Sequence, residues 1–310
     1  DASTTQLSAV TADKTQALAN GTDLITLSTK VTDAQGNILA NTDVNWSTNP
    51  ATGTLSGSST KTNAQGIATV TLSSTNVSDY VVTASTNGVS AKSSSLVFAA
   101  DAATAKISTL TADKTTGVVA GKDTVTLTAI VVDAGDHPVP NMMVTWSSDN
   151  ASGIITPVSG VTNASGVVSA TLTSTLAQST VVTASAGSSQ KTLPVEFIAD
   201  ASSAKVTIVA DKTQVVANGT DAVTWSATVL DANNNPVNGA SVDWSRDNAN
   251  VTLAGSTSQT QANGTATMTG TSLKTGTAIA TATLTEQQSS AQATAVTYIA
   301  DVSTAKLNLT

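Results

Sequence analysis

The feature that most constrains the fold of this chain is a threefold internal repeat with a period close to 100 residues. Tryptophan recurs at Trp46, Trp146 and Trp244, and an Ala-Asp-Lys triplet recurs with its aspartate at positions 13, 113 and 211. A unit of that length is an ordinary domain, so the sequence predicts three copies of one fold. We place them at residues 1–100, 101–199 and 200–300 (repeats 1, 2 and 3), and residues 301–310 match the start of a fourth.

Within each repeat, hydrophobic residues alternate with polar ones, as in a strand with one buried side. Ile25 and Leu27 show this pattern in repeat 1, and Val144 and Trp146 show it in repeat 2. The composition is rich in Val, Ala, Thr and Ser and contains only 3% aromatic residues. At least seven short strands separated by turn signals predict an all-β fold of three immunoglobulin-like β-sandwiches.

The few aromatic residues occupy repeated or inward-facing positions, so we expect them to form the cores. Tyr80 has no counterpart, and we interpret it as a packing residue at a strand start. The predicted core aromatics are Trp46, Trp146, Trp244, Trp225, Phe98, Phe197 and Tyr298.

The connections between repeats are short. Residues 98–106 (the first joint, FAADAATAK) and 197–205 (the second joint, FIADASSAK) contain neither glycine nor proline. We therefore expect the last strand of one repeat to run nearly straight into the first strand of the next. At about 40 Å per sandwich, the three repeats would form a stiff rod of about 120 Å, arranged end to end.

Composition argues against several classes of partner. Charged residues make up 11% of the chain, the net charge is −8, and Arg246 is the sole arginine, so a nucleic-acid partner is not expected. No apolar run reaches the roughly 18 residues of a membrane helix, and no signal peptide opens the chain, so this segment is not expected to insert in a membrane. The absence of cysteine excludes disulfides and thiolate sites.

The ionisable residues do not predict an active site, a metal site or a cofactor. His137 is the only histidine and is expected in an exposed turn, and Glu196 and Glu286 are the only glutamates. Four turn aspartates could suggest calcium, but Asx turns explain them better, because calcium needs several converging carboxylates. These aspartates are Asp33, Asp133, Asp136 and Asp231.

An ordered set of motifs is shared by the repeats. It comprises an Ala-Asp-Lys opening, an Asn-Gly-Thr-Asp step, a V-x-D-A-x-G-N-type turn, V-x-W-S, a T-N-A-x-G hairpin and a V-T-A-S strand. In this set the chain resembles the bacterial immunoglobulin-like group 1 domains of intimin- and invasin-type adhesins, the inverse autotransporters. The resemblance implies a bacterial surface arm that attaches to host cells or other bacteria, anchored through an outer-membrane barrel outside this segment.

Two functions fit this resemblance. The first is a rigid, monomeric stalk that projects an adhesive tip. The second is direct binding of a host cell-surface or extracellular protein, through sheet edges or loops that differ between repeats, such as residues 147–160 or 285–292.

Overall fold

The computed structural model describes residues 1–307, and they form an all-β chain punctuated by four short 3-10 turns. Repeat 1 contains eleven strands. They are β1 (Gln6–Leu7), β2 (Thr11–Ala12), β3 (Gln16–Leu18), β4 (Ile25–Thr32), β5 (Asp43–Asn49), β6 (Thr54–Leu55), β7 (Ser59–Lys61), β8 (Ile67–Ser73), β9 (Ser78–Thr86), β10 (Val89–Lys92) and β11 (Leu96–Ala99).

Repeats 2 and 3 continue the same order. Repeat 2 comprises β12 (Lys106–Ala112), β13 (Val118–Val119), β14 (Val125–Val132), β15 (Met143–Ser148), β16 (Ile154–Thr156), β17 (Ser159–Val161), β18 (Val167–Thr173), β19 (Ser179–Ala186) and β20 (Ser189–Ile198). Repeat 3 comprises β21 (Lys205–Ala210), β22 (Gln214–Val216), β23 (Val223–Leu230), β24 (Ser241–Arg246), β25 (Val251–Leu253), β26 (Thr257–Gln259), β27 (Thr265–Ser272), β28 (Gly276–Ala278), β29 (Ala280–Leu284), β30 (Ser289–Gln292) and β31 (Val296–Ile299).

Each repeat is a two-layer sandwich, which confirms the predicted fold class. In repeat 2 the layers are β12-β14-β18-β16 and β13-β20-β19-β15-β17. The opening segment changes layer: β12 pairs antiparallel with β14, whereas β13 pairs parallel with β20. In repeat 3 the second layer divides into β22-β31-β28 and β26-β24-β29-β30. The three sandwiches follow one another end to end.

Each sandwich encloses its own hydrophobic core, and the aromatic residues lie inside these cores. Trp46, Trp146 and Trp244 are 5–6% exposed, and each faces a cross-strand alanine, which leaves room for the indole. Tyr80 is fully buried, with its ring perpendicular to that of Phe98 at 5.6 Å. Trp225, Phe98, Phe197 and Tyr298 are at most 2% exposed.

The turn after the long central strand has one left-handed residue in every repeat. It is Gly36 in repeat 1, Asp136 in repeat 2 (φ 63°) and Asn234 in repeat 3 (φ 64°). Gly135, one residue earlier in repeat 2, is not left-handed. Aspartate and asparagine tolerate this conformation because their short polar side chains bond locally.

No helix within residues 1–307 is long and apolar enough to cross a membrane.

Candidate functional site

The joints between repeats are built on one buried aspartate from each downstream repeat. In repeat 2 this residue is Asp133, whose Oδ1 accepts the amides of Gly135 (2.8 Å) and His137 (2.9 Å). Its Oδ2 accepts the amide of Asp101 at 3.0 Å. The carboxylate therefore ties the turn, as an Asx turn does, to the chain that enters from the preceding repeat.

The same arrangement recurs in the other repeats. Asp231 holds its own turn and accepts the amide of Asp200 at 3.0 Å. In repeat 1, Asp33 accepts the amino group of Asp1 at 3.0 Å. The site at Asp133 is thus a repeated structural device.

Hydrogen bonding keeps these carboxylates ionised. Burial raises the pKa of Asp133 and of Asp231, but the donors around each outweigh burial and place the pKa below its ordinary value. For Asp231 those donors are the Asn235 side chain and three backbone amides. An ionised carboxylate that accepts several N–H groups is well stabilised in a partly dry site.

The connecting chain does not run straight, contrary to the sequence expectation. A 3-10 turn, Ala102–Thr104, separates β11 from β12, and Ala201–Ser203 separates β20 from β21. The side chains of Asp101 and Asp200 cap these turns by accepting the amides of Ala103 and Ser202. Each of these aspartates caps the 3-10 turn with its carboxylate and donates its amide to the buried turn aspartate of its own repeat.

The second joint is closed by side chains of repeat 3 that bond the main chain of repeat 2. Asn235 is 4% exposed, and its Nδ2 donates to the Thr175 carbonyl at 2.9 Å. Its Oδ1 accepts the amide of Ala177, also at 2.9 Å. Beside it, the Asn233 side chain lies so close to Gly121 that a Cβ there would overlap it.

The first joint is open at the same place. A cleft of about 360 Å³ separates Ala19, Asn20 and Thr75 of repeat 1 from Gly135 and His137 of repeat 2. The His137 side chain is only 20% exposed, and its Nδ1 lies 3.1 Å from Asp133 Oδ2. His137 does lie in a turn with exposed neighbours, as expected, but its own side chain is largely covered.

The remaining acidic residues do not converge. Asp136 is exposed and forms a surface ion pair with Lys106 at 3.2 Å. Within residues 1–307, no group of three or more His, Cys, Asp or Glu side chains is placed to hold a metal ion.

Repeat 2 has four apolar side chains that are more than half exposed, and two of them lie in residues 147–160, which the sequence analysis named as a variable segment. Met143 and Val161 are cross-strand partners on β15 and β17. Repeat 1 has an ion pair, Asp43–Lys61, at the place of Met143 and Val161. The full sets are Met143, Ile154, Val158 and Val161 in repeat 2, Asp43, Thr54, Ser58 and Lys61 in repeat 1, and Ser241, Thr252, Ser256 and Gln259 in repeat 3.

Two groups of residues were missed for different reasons. Asn233 and Asn235 looked like ordinary turn residues, and only their variation between repeats (Gln35, Gly135; Asn37, His137) could have drawn attention to them. Met143 and Val161 were missed because alternation does not say which strand lies at a sheet edge.

One protein family matches each of the three repeats. Residues 7–99, 107–198 and 205–299 each match the family described as the bacterial Ig-like domain (group 1). The chain is 34% identical over 326 residues to the inverse autotransporter adhesin YeeJ of Escherichia coli K12, which covers all of this chain and 14% of YeeJ. It is 38% identical over 175 residues to intimin of Escherichia coli O127:H6, which covers 56% of this chain and 18% of intimin. The chain thus spans less than a fifth of either relative.

Solved structures share the fold. The Escherichia coli adhesin FdeC superposes with a TM-score of 0.57 at 19% identity, covering 97% of this chain and 98% of that one. Invasin, described as a bacterial integrin-binding protein, superposes with a TM-score of 0.52 at 22% identity, covering 95% of this chain and 60% of that one. At these identities the likeness concerns the fold alone.

Proposed function

The chain belongs to the family of bacterial Ig-like domains of group 1, and from that premise we propose that it is a rigid stalk segment of an extracellular bacterial adhesin. Its units would be residues 1–100, 101–199 and 200–300, followed by the start of another unit at residue 301. Residues 301–307 support this, because Asp301 caps a 3-10 turn as Asp101 and Asp200 do. Residues 308–310 of that fourth unit lie outside the described residues.

The observation that carries the stalk proposal is the tie at each joint. The buried Asp133 and Asp231 each accept, at 3.0 Å, the amide of the first residue of their own repeat, Asp101 or Asp200, which follows the last strand of the preceding repeat. A stalk that transmits force or distance needs such fixed connections in place of flexible linkers. The adhesive tip and the outer-membrane anchor of this proposal lie outside the segment.

Small-angle scattering of the three-repeat segment tests the stalk. We expect the forward intensity of a monomer and a maximum dimension near 120 Å, from about 40 Å per sandwich. A compact particle, or the profile of a flexible string of domains, contradicts the proposal.

A second candidate function is direct binding of a host protein by repeat 2. Strand β17 is a sheet edge, since it pairs only with β15, and edge strands can accept a strand from a partner. In repeat 1 the equivalent edge carries Lys61 paired with Asp43, a charge that discourages such pairing, whereas repeat 2 carries Val161 and Met143. Exposed apolar side chains beside a free edge favour association.

A binding assay of the isolated segment on host cells and serum proteins tests this second function. Saturable binding that is lost in Met143→Asp/Val161→Lys supports it, because this variant copies the charged pair of repeat 1. The matched control is Ser241→Asp/Gln259→Lys in repeat 3, which should leave binding unchanged. Absence of saturable binding by the segment contradicts it.

A further inference from the structure

The two joints share one backbone design. In both, a buried aspartate holds a turn, and the third residue after that aspartate has a left-handed backbone. This residue is Asp136 (φ 63°) in the first joint and Asn234 (φ 64°) in the second. Both turns bond the incoming chain through the same carboxylate oxygen. The joints therefore differ in the side chains that face the preceding repeat rather than in the chain path.

In the second joint, Asn235 makes three polar contacts with one amide group. Its Nδ2 donates to the Thr175 carbonyl and to Asp231 Oδ2, both at 2.9 Å, while Oδ1 accepts the amide of Ala177. An amide offers two donors and an acceptor in one plane, and here all three directions are used. The Asn235 side chain is therefore oriented by Asp231 of its own repeat while it bonds the Thr175–Ala177 loop of repeat 2.

One further contact and one nearby charge reinforce the second joint. Asn233 packs on Gly121, whose lack of a side chain makes room for it. Lys122 lies near Asp200: the pKa of Asp200 is lowered first by the Ser202 hydroxyl, and the Lys122 ammonium contributes to the same shift. Repeat 1 has Thr22 at the position of Lys122, so the first joint lacks this charge.

The first joint has none of these contacts. His137 directs one ring nitrogen to Asp133, and an imidazole cannot present a donor and an acceptor side by side as an amide does. Gly135 replaces Asn233 and leaves the cleft unfilled. Within residues 1–307, no hydrogen bond joins the body of repeat 1 (residues 1–99) to repeat 2.

We infer that the segment bends at the first joint, whereas repeats 2 and 3 move as one body clamped by Asn235. This inference rests on the proposed stalk function and refines it. The Asp133 carboxylate fixes the entering chain to repeat 2 but bonds no part of residues 1–99, so bending is concentrated at the first joint. Two net hydrogen bonds should lower the population of bent arrangements at the second joint roughly 5- to 150-fold relative to the first.

Pulsed electron resonance with spin labels measures both joints. The chain has no cysteine, so labels can be placed by Thr69→Cys, Ser169→Cys and Thr267→Cys, three equivalent exposed positions on β8, β18 and β27. We expect a broad distance distribution across the first joint, between positions 69 and 169. Between positions 169 and 267, across the second joint, we expect a narrow one.

Exchanging the side chains of the two joints tests whether they cause the difference in the width of the distance distributions. Gly135→Asn/His137→Asn should narrow the first distribution, and Asn233→Gly/Asn235→His should broaden the second. Asn235→Ala serves as a second probe, since it removes both bonds to repeat 2 without adding bulk. Thermal unfolding of each variant controls for loss of fold.

The outcomes separate this inference from the stalk proposal. Two narrow distributions overturn the inference and leave the stiff stalk intact. Two broad distributions overturn both. A width difference that persists after the exchanges also overturns the inference, because the named side chains would not be its cause.

Discussion

The indole nitrogens of the three repeated tryptophans have different surroundings. Trp46 Nε1 donates to Thr60 at 2.8 Å, and Trp244 Nε1 donates to Ser258 at 2.9 Å. Trp146 Nε1 is buried and has no hydrogen-bond partner in the described residues, because Gly160 stands where the others have a hydroxyl. A buried donor without a partner costs about 1–3 kcal/mol.

We predict that Gly160→Ser stabilises repeat 2 only together with Val168→Ala. A Cβ at Gly160 would lie 2.9 Å from Val168 Cγ2, and the hydroxyl-bearing repeats have Ala68 and Ala266 at that place. In urea unfolding, the change in the free energy of unfolding of the double variant should be more favourable than the sum of the changes in the two single variants by about 0.5–3 kcal/mol. Simple additivity would contradict this coupling.

Repeat 3 contains another exchange of volume, between two neighbouring buried positions on adjacent strands. Trp225 and Gly270 stand where the other repeats have two leucines, Leu27 with Leu72 and Leu127 with Leu172. A Cβ at Gly270 would come within 2.5 Å of the Trp225 ring. We predict that Gly270→Ala destabilises repeat 3 by about 1–3 kcal/mol through overpacking. Trp225→Leu/Gly270→Leu should recover most of that loss in the same unfolding assay, and failure to recover would show that the ring is not the obstacle.

At the scale of elements, the joint turns make stability depend on pH. The folded pKa of Asp133 and Asp231 lies below the unfolded value of about 3.9. Their contribution is therefore fully present above about pH 5 and is lost as the pH falls through the lowered folded values. We predict a urea midpoint that is flat from about pH 7 to 5 and declines below about pH 4.

Asp231→Asn tests that prediction. The new asparagine NH₂ group would face N–H donors and could not accept their hydrogen bonds. We expect a loss of about 1–3 kcal/mol at neutral pH and a shallower acid decline. Asp136→Asn is the control, since its exposed pair with Lys106 contributes at most about 1 kcal/mol. Equal effects of the two variants would contradict a special role for the buried turn carboxylate.

At the scale of the whole molecule, three separate cores predict three largely independent unfolding units. Trp146→Ala should cost about 3–5 kcal/mol, which is comparable with the stability of a marginal domain. In scanning calorimetry we expect the transition of repeat 2 to move to lower temperature. The transitions of repeats 1 and 3, whose cores are separate from that of repeat 2, should keep their midpoints. A shift of all three transitions would contradict independent cores.

The sequence by itself determined the architecture, because strand alternation and the spacing of turns recur in every copy. The inward positions of Trp46, Trp146 and Trp244 follow from period-two alternation, which needs no knowledge of distant contacts. The 100- and 98-residue steps between these tryptophans likewise follow from the chain alone.

Only the tertiary structure decided what the turns and edges do. His137 and Asn235 occupy equivalent positions, yet one borders a cleft and the other bonds the preceding repeat. Residues 175–177 and 235 are about 60 positions apart in the chain, so no local pattern shows that they meet. Packing between domains brings them together, and it depends on shape and hydrogen-bond geometry that composition and periodicity do not encode.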